Sequence, residues 1–188
     1  KVEIINNILI EESEIKEKLS SIYDKNIFFI KRKDIEDPLK ETDFLDKVSV
    51  KKKYPNTIIV EIFETKPLAI LYKKKNKYLL DSSSKLILFD DKFNSNQLPS
   101  VFGEEAEIYF SSFYSQLQKN DFPIKFIEKF YFFQIGRWDL QLINNQIIKF
   151  PHNNIKSAIL KSIELLDRQD FKNYNIIDLR IDGKIIVE

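Results

Sequence analysis

The sequence predicts an α+β protein: an N-terminal βααββ unit over residues 1–67, followed by a mostly antiparallel β domain with two packed helices over residues 68–188. Three observations carry this. Helical spacing of apolar residues is confined to a few separated stretches, period-two alternation fills much of the remainder, and the pattern turns strand-rich after Pro67. At 188 residues, with 43% apolar and 31% charged side chains, the chain suffices for one sizeable core or two small ones.

The elements follow in order. VEIINNILI (residues 2–10) is β-branched and apolar, and predicts a strand. The cluster Glu11, Glu12, Ser13, Glu14 then signals a helix start, with serine able to cap and acids near the positive end of the helix dipole. Ile15, Leu19 and Ile22 share one helical face, and the helix fades at Tyr23-Asp24-Lys25-Asn26. Ile27 to Ile30 is a short apolar link. Asp34 or Asp37 begins a second helix, with Pro38 fitting best as its first residue under an Asp37 cap, because proline there loses no hydrogen bond.

Val48 and Val50, then Ile58, Val60 and Ile62, alternate with outward residues as the arms of a hairpin. Its corner is Tyr54-Pro55-Asn56-Thr57, with proline expected at the first central turn position. Pro67 is expected to close this unit. LAILY, KYLLD and SKLILF read as a meander separated by KKKN and SSS turns, and LPSVFG (98–103) as a loop. Ile108 to Lys119 predicts a helix burying Phe110, Phe113, Tyr114 and Leu117. Residues 124–150 return to strands, with corners at Gly136-Arg137 and Asn144-Asn145. Asn153 or Asn154 caps a helix with Ile155, Ile159, Ile163 and Leu166 on one face, and NIIDLRI and KIIVE are the last strands.

Composition excludes several classes of function. Thirty basic against twenty-nine acidic residues leave a net charge of +1, which supplies no long-range field for nucleic acid. The absence of cysteine removes disulfides, zinc–thiolate sites and cysteine nucleophiles. Three glycines and no G-x-G-x-x-G or P-loop leave no phosphate cradle. The sole histidine, His152, follows Phe150-Pro151 at a strand-to-helix loop and has no second histidine or cysteine to work with. Asp178 and Asp182, on one face of a strand, would stand about 13 Å apart, beyond the separation of paired-carboxylate glycosidases. Tyr54 beside Lys51 to Lys53, and Tyr72 and Tyr78 around Lys73 to Lys77, interleave bases with aromatics as single-strand binders do, yet each run sits at a turn where solubilising lysines are common. Trp138 and the aromatic stripe at 110–117 are expected in the core. With no run of about 18 apolar residues and no methionine, the chain reads as the soluble part of something longer. The remaining candidate is an edge: KIIVE is apolar, short and terminal, and an exposed last strand can accept a partner's strand.

The stretch DFLDKVSVKKKYPNTIIVEIFETKPLAIL carries a likeness. Val48, Val50, Lys52, Tyr54, Pro55, Asn56, Thr57, Ile58, Val60, Glu64, Pro67 and Ala69 match the signature that closes the POTRA domain in the FtsQ/DivIB family of bacterial division proteins. YLLD (78–81), LPSVFG (98–103), RWDLQL (137–142) and IIDLRIDGK (176–184) resemble further segments of that family in the same order. Departures are Tyr54 for a common tryptophan, Lys52 for arginine, serines after Asp81 for glycine, and Ile181 for an aromatic.

The resemblance implies a POTRA domain followed by a β domain, the periplasmic part of a single-pass inner-membrane protein concentrated at the septum. It implies no enzyme activity, no cofactor, no metal and no nucleic acid. Expected partners are FtsB and FtsL, FtsB adding a strand to the last strand, with other divisome proteins meeting the POTRA domain. Carried over, the partner-binding residues are Arg180, Ile181, Asp182, Gly183, Lys184, Ile185, Ile186 and Val187, with Lys161 as a basic contact on the preceding helix. Tyr54, Pro55, Asn56, Glu64, Pro67, Asp81, Trp138 and Asp178 are carried over as structural signature residues. The alternative reading is a POTRA-type polypeptide-binding component of outer-membrane protein assembly or secretion.

Overall fold

The computed structural model describes residues 1–82, 85–89 and 98–188, in two compact units, Lys1–Lys66 and Pro67–Glu188. In the first unit β1 (Val2–Ile5) lies parallel to β3 (Thr57–Glu64), which pairs antiparallel with β2 (Leu45–Lys53), in the order β1-β3-β2. Helices α1 (Glu12–Lys18) and α2 (Lys33–Leu39) connect β1 to β2, giving the expected βααββ order. Their apolar residues Ile15, Leu19, Ile35 and Leu39 form one buried cluster with Val48, Ile58, Val60 and Ile62 of the sheet.

Several local expectations are corrected here. The first strand stops at Ile5 instead of running to Ile10: Asn6 takes a left-handed conformation, φ 65°, and turns the chain out of the sheet. The backbone N–H groups that follow find a different acceptor. Ile8, Leu9 and Ile10 all donate to the Glu64 carboxylate at 2.8–2.9 Å, so one acid at the end of β3 fixes the entry to α1. Ser13 lies inside α1 and caps nothing; the Glu12–Lys16 and Glu14–Lys18 pairs, 2.7 and 3.3 Å, run along the helix instead. Pro38 stands near the end of α2, which starts at Lys33 and not at proline. Burial of Ile35 and Leu39, one turn apart, outweighs the single backbone bond that proline removes. The Tyr54–Pro55 peptide is cis, so proline takes the second central turn position, not the first.

The second unit is a nine-stranded sheet in the order β12-β11-β10-β9-β8-β7-β4-β5-β6. Its strands are β4 (Pro67–Lys73), β5 (Asn76–Asp81), β6 (Leu86–Leu88), β7 (Ser100–Phe102), β8 (Ile127–Phe133), β9 (Arg137–Leu142), β10 (Ile147–Lys149), β11 (Ile176–Asp178) and β12 (Ile186–Val187). The expected meander is β4-β5-β6; Ser83 and Ser84 of its serine turn lie outside the described residues. LPSVFG, expected as a loop, contributes β7, which is inserted between β4 and β8 and runs parallel to both. Three residues are too few to show periodicity, but Val101 is fully buried. Gly103 ends β7 at φ 126°, against the Phe132 carbonyl, where any Cβ would collide.

Helices α3 (Ala106–Lys119) and α4 (Ile155–Asp167) join parallel neighbours, β7 to β8 and β10 to β11, the crossover that parallel pairing requires. Both pack on one sheet face. Register places Tyr78, Leu71, Val101, Phe130, Leu140, Ile148, Ile177 and Val187 in a row across that face. Phe113 of α3 stacks on Trp138 at 5.1 Å, and Phe110 meets Phe130 edge-on at 5.3 Å. On α4 the buried line is Ala158, Ile159, Ser162 and Leu165, while the expected Ile155, Ile163 and Leu166 pack at its margin. Small residues at 158 and 162 let the helix sit close, and Ser162 Oγ donates to the Ile159 carbonyl at 2.7 Å.

The Glu64 clasp generates a prediction. Glu64→Ala leaves three N–H groups without their charged acceptor and should lower the stability of the first unit by roughly 1–3 kcal/mol. Urea unfolding measures it, and an unchanged midpoint would deny the clasp a structural role.

Candidate partner-binding edge

β12 is the outermost strand at one end of the nine-stranded sheet, as the terminal KIIVE pattern suggested. Among the described residues, only its inner side is paired. Glu188 and Ile176 exchange both N–H···O=C bonds at 3.1 Å, and Ile177 stands opposite Val187. Antiparallel alternation therefore turns the N–H and C=O of Val187 away from β11. A strand laid along that side would find a donor and an acceptor already extended.

Electrostatics set the approach to β12. On the sheet face opposite the helices, Asp139, Lys149 and Asp178 are direct neighbours across β9, β10 and β11. Arg180 folds back on Asp178: Nε donates to both carboxylate oxygens at 2.9 Å and Nη2 to one at 2.5 Å. The Arg180 N–H adds a bond to the same group at 3.0 Å. Burial acts to raise the Asp178 carboxyl, but the Arg180 hydrogen bonds with the Arg180 and Lys149 charges outweigh it and hold the group below the ordinary range. Asp139 goes the other way. Burial pushes it up, Arg137 at 3.4 Å, Lys149 and Arg180 offset this in part, and neighbouring Asp178 adds to it.

Beyond Arg180 the chain makes a short turn, Lys184 N–H donating to the Ile181 carbonyl at 3.1 Å, with Gly183 at φ 69°. Parallel pairing of β10 with β11 brings their C-terminal ends together, so this turn faces the start of α4. The two enclose an open cleft of about 720 Å³. Of the residues carried over from the family, Lys161 and Arg180 to Ile185 line the cleft, and Ile186 and Val187 form β12 beside it. Ile181, Ile185 and Ile186 are all exposed. Lys161 is held by Glu164 at 2.9–3.0 Å.

Sequence reasoning missed the other wall of the cleft, Pro151 to Asn154 with Ser157 and Ala158. The available signal was the helix between two strands, which makes them parallel and adjacent. His152 Nδ1 lies 3.0 Å from the Gly136 carbonyl, a loop contact. Of the structural signature residues, Tyr54 to Asn56 form the β2–β3 tip and Glu64 the clasp of the first unit; in the second, Pro67 opens β4, Asp81 accepts from Lys85 N–H at 2.9 Å, Trp138 lies in the core and Asp178 holds Arg180. Among the described residues no group of histidines and acids is arranged to hold a metal, and no helix is long and apolar enough to cross a membrane.

Asp178 stabilises the fold above its unfolded-state pKa of about 3.9, and that contribution is lost as pH falls through its lower folded-state value. Arg180→Ala should cost roughly 1–2 kcal/mol at neutral pH, less than for a fully buried pair because the Arg180 side chain is 41% exposed. The deficit should narrow as the pH falls below about 3.9 toward the lower folded-state value, where Asp178 becomes protonated. Denaturant unfolding across that range measures both.

The chain has relatives among known proteins. The FtsQ-type POTRA domain family matches residues 1–65. The cell division protein FtsQ of Rickettsia prowazekii (strain Madrid E) is 30% identical over 195 residues, covering 98% of this chain and 72% of that protein. FtsQ of Rhizobium meliloti (strain 1021) is 28% identical over 152 residues, 79% of this chain and 48% of that protein. The major extracytoplasmic domain of the cell division protein DivIB from Geobacillus stearothermophilus aligns with a TM-score of 0.40 at 11% identity, over 52% of this chain and 87% of that one. The chain belongs to the FtsQ family of bacterial cell division proteins.

Proposed function

We propose that the chain is a non-enzymatic scaffold of the division machinery that holds FtsB, together with FtsL, by accepting an FtsB strand along β12. The observation that carries this reading is the free side of β12, with Val187 N–H and C=O directed outward beside a cleft. Main-chain bonds supply affinity in such an arrangement, and alternate side chains supply specificity. An added strand would extend both faces of the sheet. Side chains level with Val187 would join the helix-packed face, and those level with Ile186 the Asp139–Lys149–Asp178 face.

The scaffold reading draws further support from the acid and the histidine at this edge: Asp178 is engaged by Arg180, and His152 by a backbone carbonyl. On the same reading a preceding membrane helix anchors the protein in the inner membrane, this part lies in the periplasm at the septum, and the POTRA unit meets other division proteins.

Val187→Pro separates strand addition from folding, because the N–H it removes points away from β11 and proline is tolerated on an outer edge. In pull-downs with FtsB and FtsL ectodomains the intact chain should bind. Both Val187→Pro and a chain cut after Arg180 should lose at least about tenfold in affinity. Equal binding by all three would contradict strand addition at β12.

A further inference from the structure

We infer that the tip of the N-terminal unit is a docking surface for an anionic lipid bilayer. Residues 25–33, KNIFFIKRK, contain no acid, and neither do residues 47–60, which carry KKKYPN. Some acids stand beside these segments: Glu3 pairs with Lys1 at 2.7 Å, Glu36 with Arg32 at 2.6 Å, and Asp34 accepts from the Lys31 N–H at 2.9 Å; others lie further along the unit. Glu11, Glu12 and Glu14 open α1, Asp43 and Asp46 stand at the start of β2, and Glu64 ties the two regions together. Lys25, Lys31, Lys33, Lys52 and Lys53 outnumber Asp24 and Asp34, the acids directly flanking residues 25–33, so the tip keeps a basic excess.

The turn at Asn26–Phe29 displays two rings on that tip. Phe29 N–H donates to the Asn26 carbonyl at 2.9 Å and Phe28 N–H to the Asn26 side chain at 3.0 Å. Ile27 and Ile30 root the turn in the core, which leaves Phe28 68% and Phe29 78% exposed. Phe28 stacks on Tyr54 of the neighbouring hairpin at 5.2 Å, and Tyr54 is itself 58% exposed. Lys25 and Lys31 flank the turn, and Lys52 and Lys53 precede Tyr54.

Each feature narrows the occupant. Phenylalanine has no polar atom, so a partner recognised by charge alone would leave both rings in water. Nucleic acid would need a long-range field that a net charge of +1 does not supply. Three rings that are 58–78% exposed offer less than the about 800 Å² a side of an ordinary protein interface. Apolar rings projecting among lysines match the bilayer interface, where rings sit at headgroup depth and ammonium groups meet lipid phosphates. The Lys1 nitrogen also donates to the Asn56 carbonyl at 2.7 Å, so an anchor preceding Lys1 would leave from this tip. That last point alone rests on the membrane-anchored placement proposed above.

Vesicle sedimentation of the full 188-residue chain tests the proposal. The protein should sediment with mixed phosphatidylcholine–phosphatidylglycerol vesicles and stay in solution with phosphatidylcholine alone. Phe28→Ala/Phe29→Ala and Lys52→Glu/Lys53→Glu should each reduce partitioning at least about tenfold. Both should leave thermal unfolding and FtsB capture unchanged, so that failure here is distinct from failure of strand addition. Equal sedimentation with neutral vesicles, or variants that partition like the unaltered chain, would overturn the proposal. So would capture by a single-stranded DNA oligonucleotide without any binding to anionic vesicles.

Discussion

Packing of α3 and α4 on one face of the nine-stranded sheet is the constraint on which the order of its strands depends. Each helix carries the chain from one strand to a parallel neighbour, so β7 and β8, and β10 and β11, must lie side by side. Side-chain alternation then sorts every strand at once. One row, from Tyr78 through Phe130 and Ile148 to Val187, faces the helices; the next, Tyr72, Phe102, Tyr131, Asp139, Lys149, Asp178 and Ile186, faces away. A slip of one residue anywhere would exchange the rows and expose the aromatic cluster around Trp138.

The proposed partner edge inherits its geometry from the same constraint. Because β10 and β11 are parallel, their C-terminal ends meet, and the turn after β11 closes against the start of α4. Arg180 then locks onto Asp178 and directs the chain toward β12. The outward row is aromatic near β4 and β8, where Tyr72, Phe102 and Tyr131 stack at 5.0 and 5.4 Å, and charged near β10 and β11. Its charged end is the end a partner strand would join.

Much of this was legible in the sequence where an element is long or strongly periodic. The β2–β3 hairpin and the α3 stripe follow directly from spacing, whereas the edge position of the terminal strand required the sheet order. What escaped was decided by tertiary context. Val101 anchors a three-residue strand between Pro99 and Gly103, too short to show a period. Ala158 and Ser162 are buried on α4 although neither stood out in the apolar spacing of the helix. Pro38 reads as a helix start, but the buried pair Ile35 and Leu39 places it at the helix end. Leu179 and Arg180 were visible as a motif, whereas the reason for the arginine, a buried acid two residues earlier, required the fold. Ile27 to Ile30 read as an apolar link, while the structure divides it into two rooted isoleucines and two exposed phenylalanines.

The claim that β12 receives a partner strand is tested most directly by amide hydrogen exchange at Val187, with and without the FtsB ectodomain. The Val187 N–H, turned away from β11, should exchange freely in the isolated chain and become protected in the complex. The Ile186 N–H, on the paired side, should change far less. Protection confined to α4 or the cleft, with Val187 still exchanging freely in a saturated complex, would contradict strand addition.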